Sequence, residues 1–596
     1  MSRWKLVLAA AVCAAAVIPA AAQQQLQRPP DVERTFADPA AYVPEIPLVA
    51  AASELRDLVN RYGEDRGALA RFYTVQGSSA RREKLRAFNR AWLTALPSAG
   101  FAKLSHQGQL DYVLLRNEIE YELALLDREQ RAQGETRALV PFASRIAALQ
   151  EDRQALTFVT PADALEAVKA IDADVARARA AIESGALKAP AAAAFRAAQQ
   201  VDALRGTLAQ WYGFYNGYDP GFSKALPEPY QAASRALTEY AALLRERLVD
   251  WPKGADEPIV GNPIGRQGLL EDLRAEMIPY TPEELIEIGN REYAWIEAEM
   301  KKASREMGMG EDWHAALDKV KGMYVPQGEQ PALIRNLALE AEAYLRKHDL
   351  VTIPALASDM WKMNMMSPER QRVNPFFTGG ETISVSYPHA SMAETDQAMS
   401  LRGNGIHVSR ATVQHELIPG HHLQGFMSSR YNAHREMFST PFMGEGWALY
   451  WEMLLWDHGF TRSPEDRIGM LWWRMHRASR IIFSMNFHLG NWTPEQCINF
   501  LVEKGRHDRF TATGEVRRSF NSTYSPLYQA AYMLGGLQIR SMYKELVDMK
   551  KMTPKAFHDA ILRQGEMPIE LLRAALTGTP VAPGYQPRWK FYGEVR

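Results

Sequence analysis

Between Gln414 and Gln424 the chain reads Gln-His-Glu-Leu-Ile-Pro-Gly-His-His-Leu-Gln, which sets His415, Glu416, His421 and His422 close together among apolar neighbours. Neutral imidazole is the usual nitrogen ligand for zinc, and a carboxylate beside the first ligand is placed to take a proton from metal-bound water. In a His-Glu-x-x-His helix the second ligand lies four positions on, so at about 100° per residue both rings share one face. Here Pro419 stands at that position. His421 falls about 240° round a regular helix from His415, while His422 returns to the first face roughly one turn too far along. Pro419 removes an amide donor and crowds the preceding turn, and Gly420 accepts unusual dihedrals. A bulge absorbing two residues at this dipeptide makes His421 the second ligand; His422 is the alternative.

A metal also needs a third protein ligand and an open position. The segment Gly444-Glu445-Gly446-Trp447-Ala448-Leu449-Tyr450-Trp451-Glu452 offers Glu445, on a helix starting after Pro441 and Gly444. The aromatic residues that follow imply burial, and an unpaired buried carboxylate is costly. A cation answers that cost, as would an arginine. Glu452, two helical turns further on, is expected to make an outer hydrogen bond to the site or a surface pair.

The elements that must position these groups read as mostly helical. Leu110, Leu114, Leu115, Ile119, Leu123 and Leu126 recur at helical spacing, and Ala-rich helical stretches follow over 161–184 and 190–213. A loop rich in Pro and Gly (Pro252 to Gly265) divides an N-terminal helical region, 49–265, from a catalytic region, 266–596. Thr281-Pro282-Glu283-Glu284 opens a long helix with a capping box, and another helix is expected over 354–366. Thr382 to Tyr387 alternates as a strand, and Gly403 to Ser409 reads as a second short strand just before the histidine helix. Such a β element is either an edge along the cleft, to which an extended peptide can add, or a small hairpin.

Composition narrows the partners. With 46% hydrophobic and 23% charged residues the chain is globular, and 69 basic against 70 acidic residues give no basic surface for nucleic acid. Arg3 and Lys5, an apolar run from Leu6 to Ile18 and Ala20-Ala21-Ala22 predict an export signal, 1–22, and hence a periplasmic or secreted protein. Val12 before Cys13 favours simple secretion over lipid attachment. No later segment is apolar enough to span a bilayer, so no stable membrane insertion is expected after signal removal. A Pro- and Gln-rich arm, 23–48, follows. Cys497 is then the sole cysteine, so packing rather than a disulfide must hold the fold.

His415-Glu416 with Gly420-His421, and Glu445 in its Glu-Gly-Trp-Ala-Leu-Tyr-Trp-Glu setting, resemble the Glu-zincin metallopeptidases, particularly the helical carboxypeptidase and oligopeptidase branches. The form His-Glu-x-x-Pro-Gly-His-His-Leu-Gln resembles the bacterial family known as domain of unknown function eight-eight-five, of the same zincin clan, over about 50 to 580. The resemblance implies a mainly α, zincin-like fold with a small β element beside the active-site helix. It implies His415, His421 and Glu445 as ligands of Zn2+ and Glu416 as general base. Peptidases of this kind place a tyrosine late in the chain to stabilise the oxyanion; Tyr532 is the candidate, with Tyr528 one turn earlier as second. Arg480 and His488 fall in a further matching block as candidate substrate-binding residues, although Ser484 stands where an acidic residue commonly precedes that histidine. Arg480 would bind a substrate carboxylate or form an internal salt bridge. The function implied is zinc-dependent hydrolysis of short or unfolded peptides. Hydrolysis of non-peptide amides, a catalytically degenerate binding protein and a metal-storage module are the alternatives.

Overall fold

The computed structural model describes residues 33–42, 53–371, 374–521 and 524–593. The export signal lies outside the described residues, as do 23–32 and 43–48 of the arm. Where the arm is described it is docked rather than free. Arg34 donates to the carbonyls of Ser358, Asp359 and Trp361 and lies 4.0 Å over the Trp361 ring.

The described residues are mainly α-helical, with two short strands. The leucine stripe lies on α1 (His106–Thr136), where Leu110, Leu114, Leu115, Ile119 and Leu126 are buried. All of these but Leu126 enter a large apolar core that takes side chains from both sides of the Pro- and Gly-rich loop, from Leu55 to Phe591. A second core is confined to residues between Val75 and Leu244 and lies in the helices that precede the loop. Helix α2 (Pro282–Glu306) starts at the expected capping box, with Thr281 and Glu284 each bonded to the other's backbone.

The stretch expected to be one helix over 354–366 is instead α3 (Ala355–Met360) followed by β1 (Lys362–Met365). Strand β2 (Thr382–Val385) supplies the reason: it pairs with β1 in parallel, Lys362 opposite Thr382, so the backbone groups find partners across chains of contact that local periodicity does not reveal. On its other side β2 makes one antiparallel bridge, in which Ser384 and Thr378 exchange hydrogen bonds, and because β1 and β2 are parallel the two strands do not form a hairpin with each other. Ile383 and Val385 point into an apolar cluster with Val413 and Leu417, which seats the strand against the histidine helix.

That helix, α4 (Ile406–Glu416), begins where a second strand was expected. Gly405 is extended and caps it from outside, and the Ile406 N–H donates to the Met323 carbonyl; the β-branched residues that read as a strand here pack a helical face. There follow α5 (His421–Ser428), α6 (Pro441–Asp457), α7 (Pro464–His488), α8 (Arg509–Phe520) and α9 (Tyr528–Tyr543). Helix α7 is buried along almost its whole length, packs on α2, α4 and α9, and is the axis of the C-terminal half. Helices α6 and α9 cross at glycines. A side chain on Gly446 would lie 2.5 Å from the Gly535 Cα, so only small residues let these two backbones approach so closely.

An ionic knot fastens α4 to the start of α7. Buried Asp466 accepts from His407 Nδ1 at 2.7 Å and lies 3.4 Å from Arg410 Nε. Burial alone would raise its carboxyl, but the His407 bond and the Arg410 charge outweigh it and bring the pKa down to about 2 from 3.8. Because the folded value is the lower one, the carboxylate stabilises the fold fully above pH 3.8, and that contribution fades as pH falls through about 2. The shift corresponds to about 2 kcal/mol. Asp466→Asn is therefore expected to lower unfolding free energy by about 2 kcal/mol at pH 6, with the gap to the parent closing as pH falls from about 4 towards 2. Urea titrations across that range measure it; a gap independent of pH would reject the ionic account.

Candidate metal centre

The histidine motif is not a bulged helix. Helix α4 ends at Glu416 and α5 begins at His421, and the four residues between them form a tight turn. The Gly420 N–H donates to the Gln414 carbonyl at 3.0 Å, and the Pro419 carbonyl accepts from Trp447 Nε1 at 2.8 Å. A Cβ on Gly420 would fall 1.8 Å from the His415 carbonyl oxygen, so glycine is required. The break does what two absorbed residues would do, by turning the chain rather than by looping it out. His421 comes back to His415, ring centroids 4.8 Å apart and nearly perpendicular. His422 turns the other way, and its Nε2 lies 2.8 Å from the carbonyl of Ala357 on α3.

Helix α6 brings Glu445 to the same point. Its Oε2 lies 3.5 Å from His415 Nε2 and 3.2 Å from His421 Nε2. Donors about 2.0–2.1 Å from a zinc ion at tetrahedral angles are about 3.3 Å from one another, which both distances to Glu445 Oε2 match, and the donor atoms of the three residues all lie within 4.8 Å of one another. Glu445 Oε2 is buried and makes no hydrogen bond, and its other oxygen accepts from the Tyr528 hydroxyl at 2.6 Å. A divalent cation fits this donor set. Electrostatics agree: burial disfavours a charged His415 ring, yet the neighbouring carboxylates of Glu445 and Glu452 outweigh it and push its pKa up to about 9. Burial would likewise raise Glu445, but His421 and His415 hold it well below the usual carboxylate range. The site thus favours positive charge between its donors.

Of its two expected roles, Glu452 takes the outer hydrogen bond and not the surface pair. It is buried one side chain behind the donors, its Oε1 2.7 Å from His415 Nδ1. With the proton of that ring held on Nδ1, the Nε2 lone pair is aimed at Glu445 and the cavity. Glu452→Gln is expected to weaken zinc binding about 10- to 100-fold, the usual effect of losing such a partner. Competition with a chromophoric chelator reads it, and unchanged affinity would leave Glu452 a packing residue only.

These groups open on a cavity of about 270 Å³, lined also by Glu416, Thr378, Gly379, Phe376, Phe377 and Tyr532. The cleft wall is therefore the loop leading into β2, not the strand. Glu416 is buried, which raises its carboxyl while His415 and His421 oppose the rise, and its carbonyl accepts from the Gly380 N–H. The Tyr532 ring stacks on His415 with centroids 6.3 Å apart. Burial raises both Tyr528 and Tyr532 above the ordinary phenol value, so each hydroxyl keeps its proton.

The sequence matches the family described as "Bacterial protein of unknown function (DUF885)" over residues 71–576. The chain belongs to this family. No curated protein matches it. Among solved structures, it resembles one described as a "putative lipoprotein of unknown function" from Shewanella oneidensis, at 18% identity and a TM-score of 0.66, covering 88% of this chain and 100% of that one. It also resembles a "putative lipoprotein" from Colwellia psychrerythraea, at 17% identity and a TM-score of 0.54, covering 88% and 97% of the two chains. At such identities the likeness speaks for the fold alone. The helical architecture of this member of the family is thus shared with solved proteins.

Two candidates of the family block part company in the structure. Arg480 lines the cavity but is tied to Glu515, Nε to Oε1 at 2.7 Å, which is the internal salt bridge. His488 does not reach the cavity. It sits at the end of α7 against Phe487 and Phe520, and burial pulls its pKa down to about 3, so it is a neutral core residue. Sequence reasoning missed Arg477, Arg518 and Tyr524, which also line the cavity. The signal was faint: Arg474, Arg477 and Arg480 follow one another by three along a helix with no polar face, and buried arginines at that density are uncommon.

Proposed function

We propose that this protein is a zinc-dependent peptide hydrolase of oligopeptidase or carboxypeptidase type, a member of the zincin clan that acts in the periplasm or after secretion. The observation that carries the reading is the cluster of His415 Nε2 and His421 Nε2 at 3.5 and 3.2 Å from Glu445 Oε2, with the carboxylate of Glu416 in the same cavity. Zinc in a set of two imidazoles and one carboxylate supplies Lewis acidity, acidifying water to a pKa of about 7 and polarising a carbonyl. Glu416 takes the proton from the attacking water and hands it to the leaving amine nitrogen. Tyr532, whose hydroxyl has no partner among the described residues, donates to the oxyanion, while Tyr528 and Glu452 hold Glu445 and His415 in place. His421 is only 22% exposed and the other ligands less so, which favours short or unfolded peptides over folded proteins as substrates. No helix among the described residues is long and apolar enough to cross a membrane.

The mature protein, loaded with zinc and incubated with a mixed peptide library, is expected to yield cleavage products by mass spectrometry. A chelator should stop their formation and added zinc restore it. Protein that carries one zinc per chain and leaves every peptide intact would overturn the proposal.

A further inference from the structure

The cavity holds more positive charge than the metal chemistry uses. Arg477 and Arg480 reach it from α7 and Arg518 from α8. Arg480 and Arg518 share one carboxylate, donating through Nε to Oε1 and Oε2 of Glu515 at 2.7 and 2.6 Å. Arg477, one turn before Arg480, has no comparable mate. Its ion-pair contact among the described residues is Glu452 Oε1 at 3.9 Å, an atom already taken by His415. Its guanidinium lies over Trp473 and Tyr532, 4.5 and 5.1 Å from the ring centroids. Arg477 is 4% exposed, yet its Nε and Nη1 make no hydrogen bond, and neither does Nη1 of Arg480.

Buried donors without acceptors are costly, and so is a buried charge without a counterion. Among the described residues, and with a divalent ion bound, Glu416, Glu445, Glu452 and Glu515 supply four negative charges against three guanidiniums and the ion, which leaves one positive charge over. One carboxylate from outside, entering the cavity that these arginines line, would balance that charge in the forked geometry that suits guanidinium. Both arginines face the Tyr532 ring, which itself stacks on His415, so the anion would lie beside the reacting carbonyl. One residue of extended chain spans about 3.5 Å, so a carboxylate held there belongs to a residue just beyond the scissile bond.

We propose that Arg477, assisted by Arg480, binds the free α-carboxylate of a short peptide, so that the protein removes residues from the C-terminus. This rests on the peptide-hydrolase reading and narrows it. In the reaction the C–N bond breaks, the oxygen of one water remains on the acyl carbon, and the protons pass to the released amine and solvent.

The test compares peptides of one sequence as free acids and as C-terminal amides, using zinc-loaded protein. Free acids are expected to be trimmed at least about 10-fold faster than amides. Arg477→Gln should raise KM for the acids by about 10-fold, bring the acid-to-amide ratio close to one and leave zinc content unchanged. Arg477→Lys, which keeps the charge but not the fork, should fall between. Acids and amides cut alike at internal bonds would overturn the carboxylate site while leaving the hydrolase reading intact. If neither form is cut, the hydrolase reading falls, and calorimetry on zinc-loaded protein with trialanine and trialanine amide decides the rest: an acid preference abolished by Arg477→Gln supports the site, and equal affinities overturn it.

Discussion

Glu416→Gln is expected to reduce kcat/KM on peptides by about 10³-fold, close to 4 kcal/mol of transition-state stabilisation, while the protein keeps its zinc. The residue is placed for this outcome: it is buried in the cavity yet is not one of the three clustered donors. Gln preserves its shape, and the Gly380 hydrogen bond goes to its backbone carbonyl, so the loop over the site has no reason to move. What is lost is the ability to accept a proton. Steady-state kinetics with zinc quantified in the same samples decide it. A variant that binds zinc and cleaves at the parent rate would remove Glu416 from the mechanism and favour a role in which the metal alone matters.

The second large effect separates two neighbouring histidines. His421→Ala removes one of three donors and should weaken zinc binding by more than the 10–100-fold typical of outer partners, on the order of 10³-fold, with activity falling in parallel. His422→Ala should bind zinc like the parent. It should instead lose about 1–3 kcal/mol of stability, because the Ala357 carbonyl on α3 is left buried without its donor. Zinc titration and urea unfolding on both variants give a crossed pattern. The reverse cross, with zinc lost only at His422, would mean that the turn at 417–420 is not the one described here.

The sequence by itself determined the candidate site residues and the materials of the fold. Residue types alone marked His415, Glu416 and Glu445, because few contexts other than a cation explain imidazoles and carboxylates set among apolar and aromatic residues. Helical periodicity and capping residues, such as those at Thr281, marked most helices, since those signals act within a turn or two. The β element was legible at Thr382–Val385 but not at its partner, Lys362–Met365, because pairing depends on a strand elsewhere in the chain.

Only the tertiary structure decided which histidine faces the third donor, since the answer depends on a break in the helix that Trp447 holds from another element. It alone showed Glu452 behind His415, the neutral burial of His488 and the unpaired donors of Arg477. The physical reason is common to all four. Periodicity reports which face of an element is apolar, whereas the partner of a polar group is chosen by the element packed against that face, dozens of residues away along the chain.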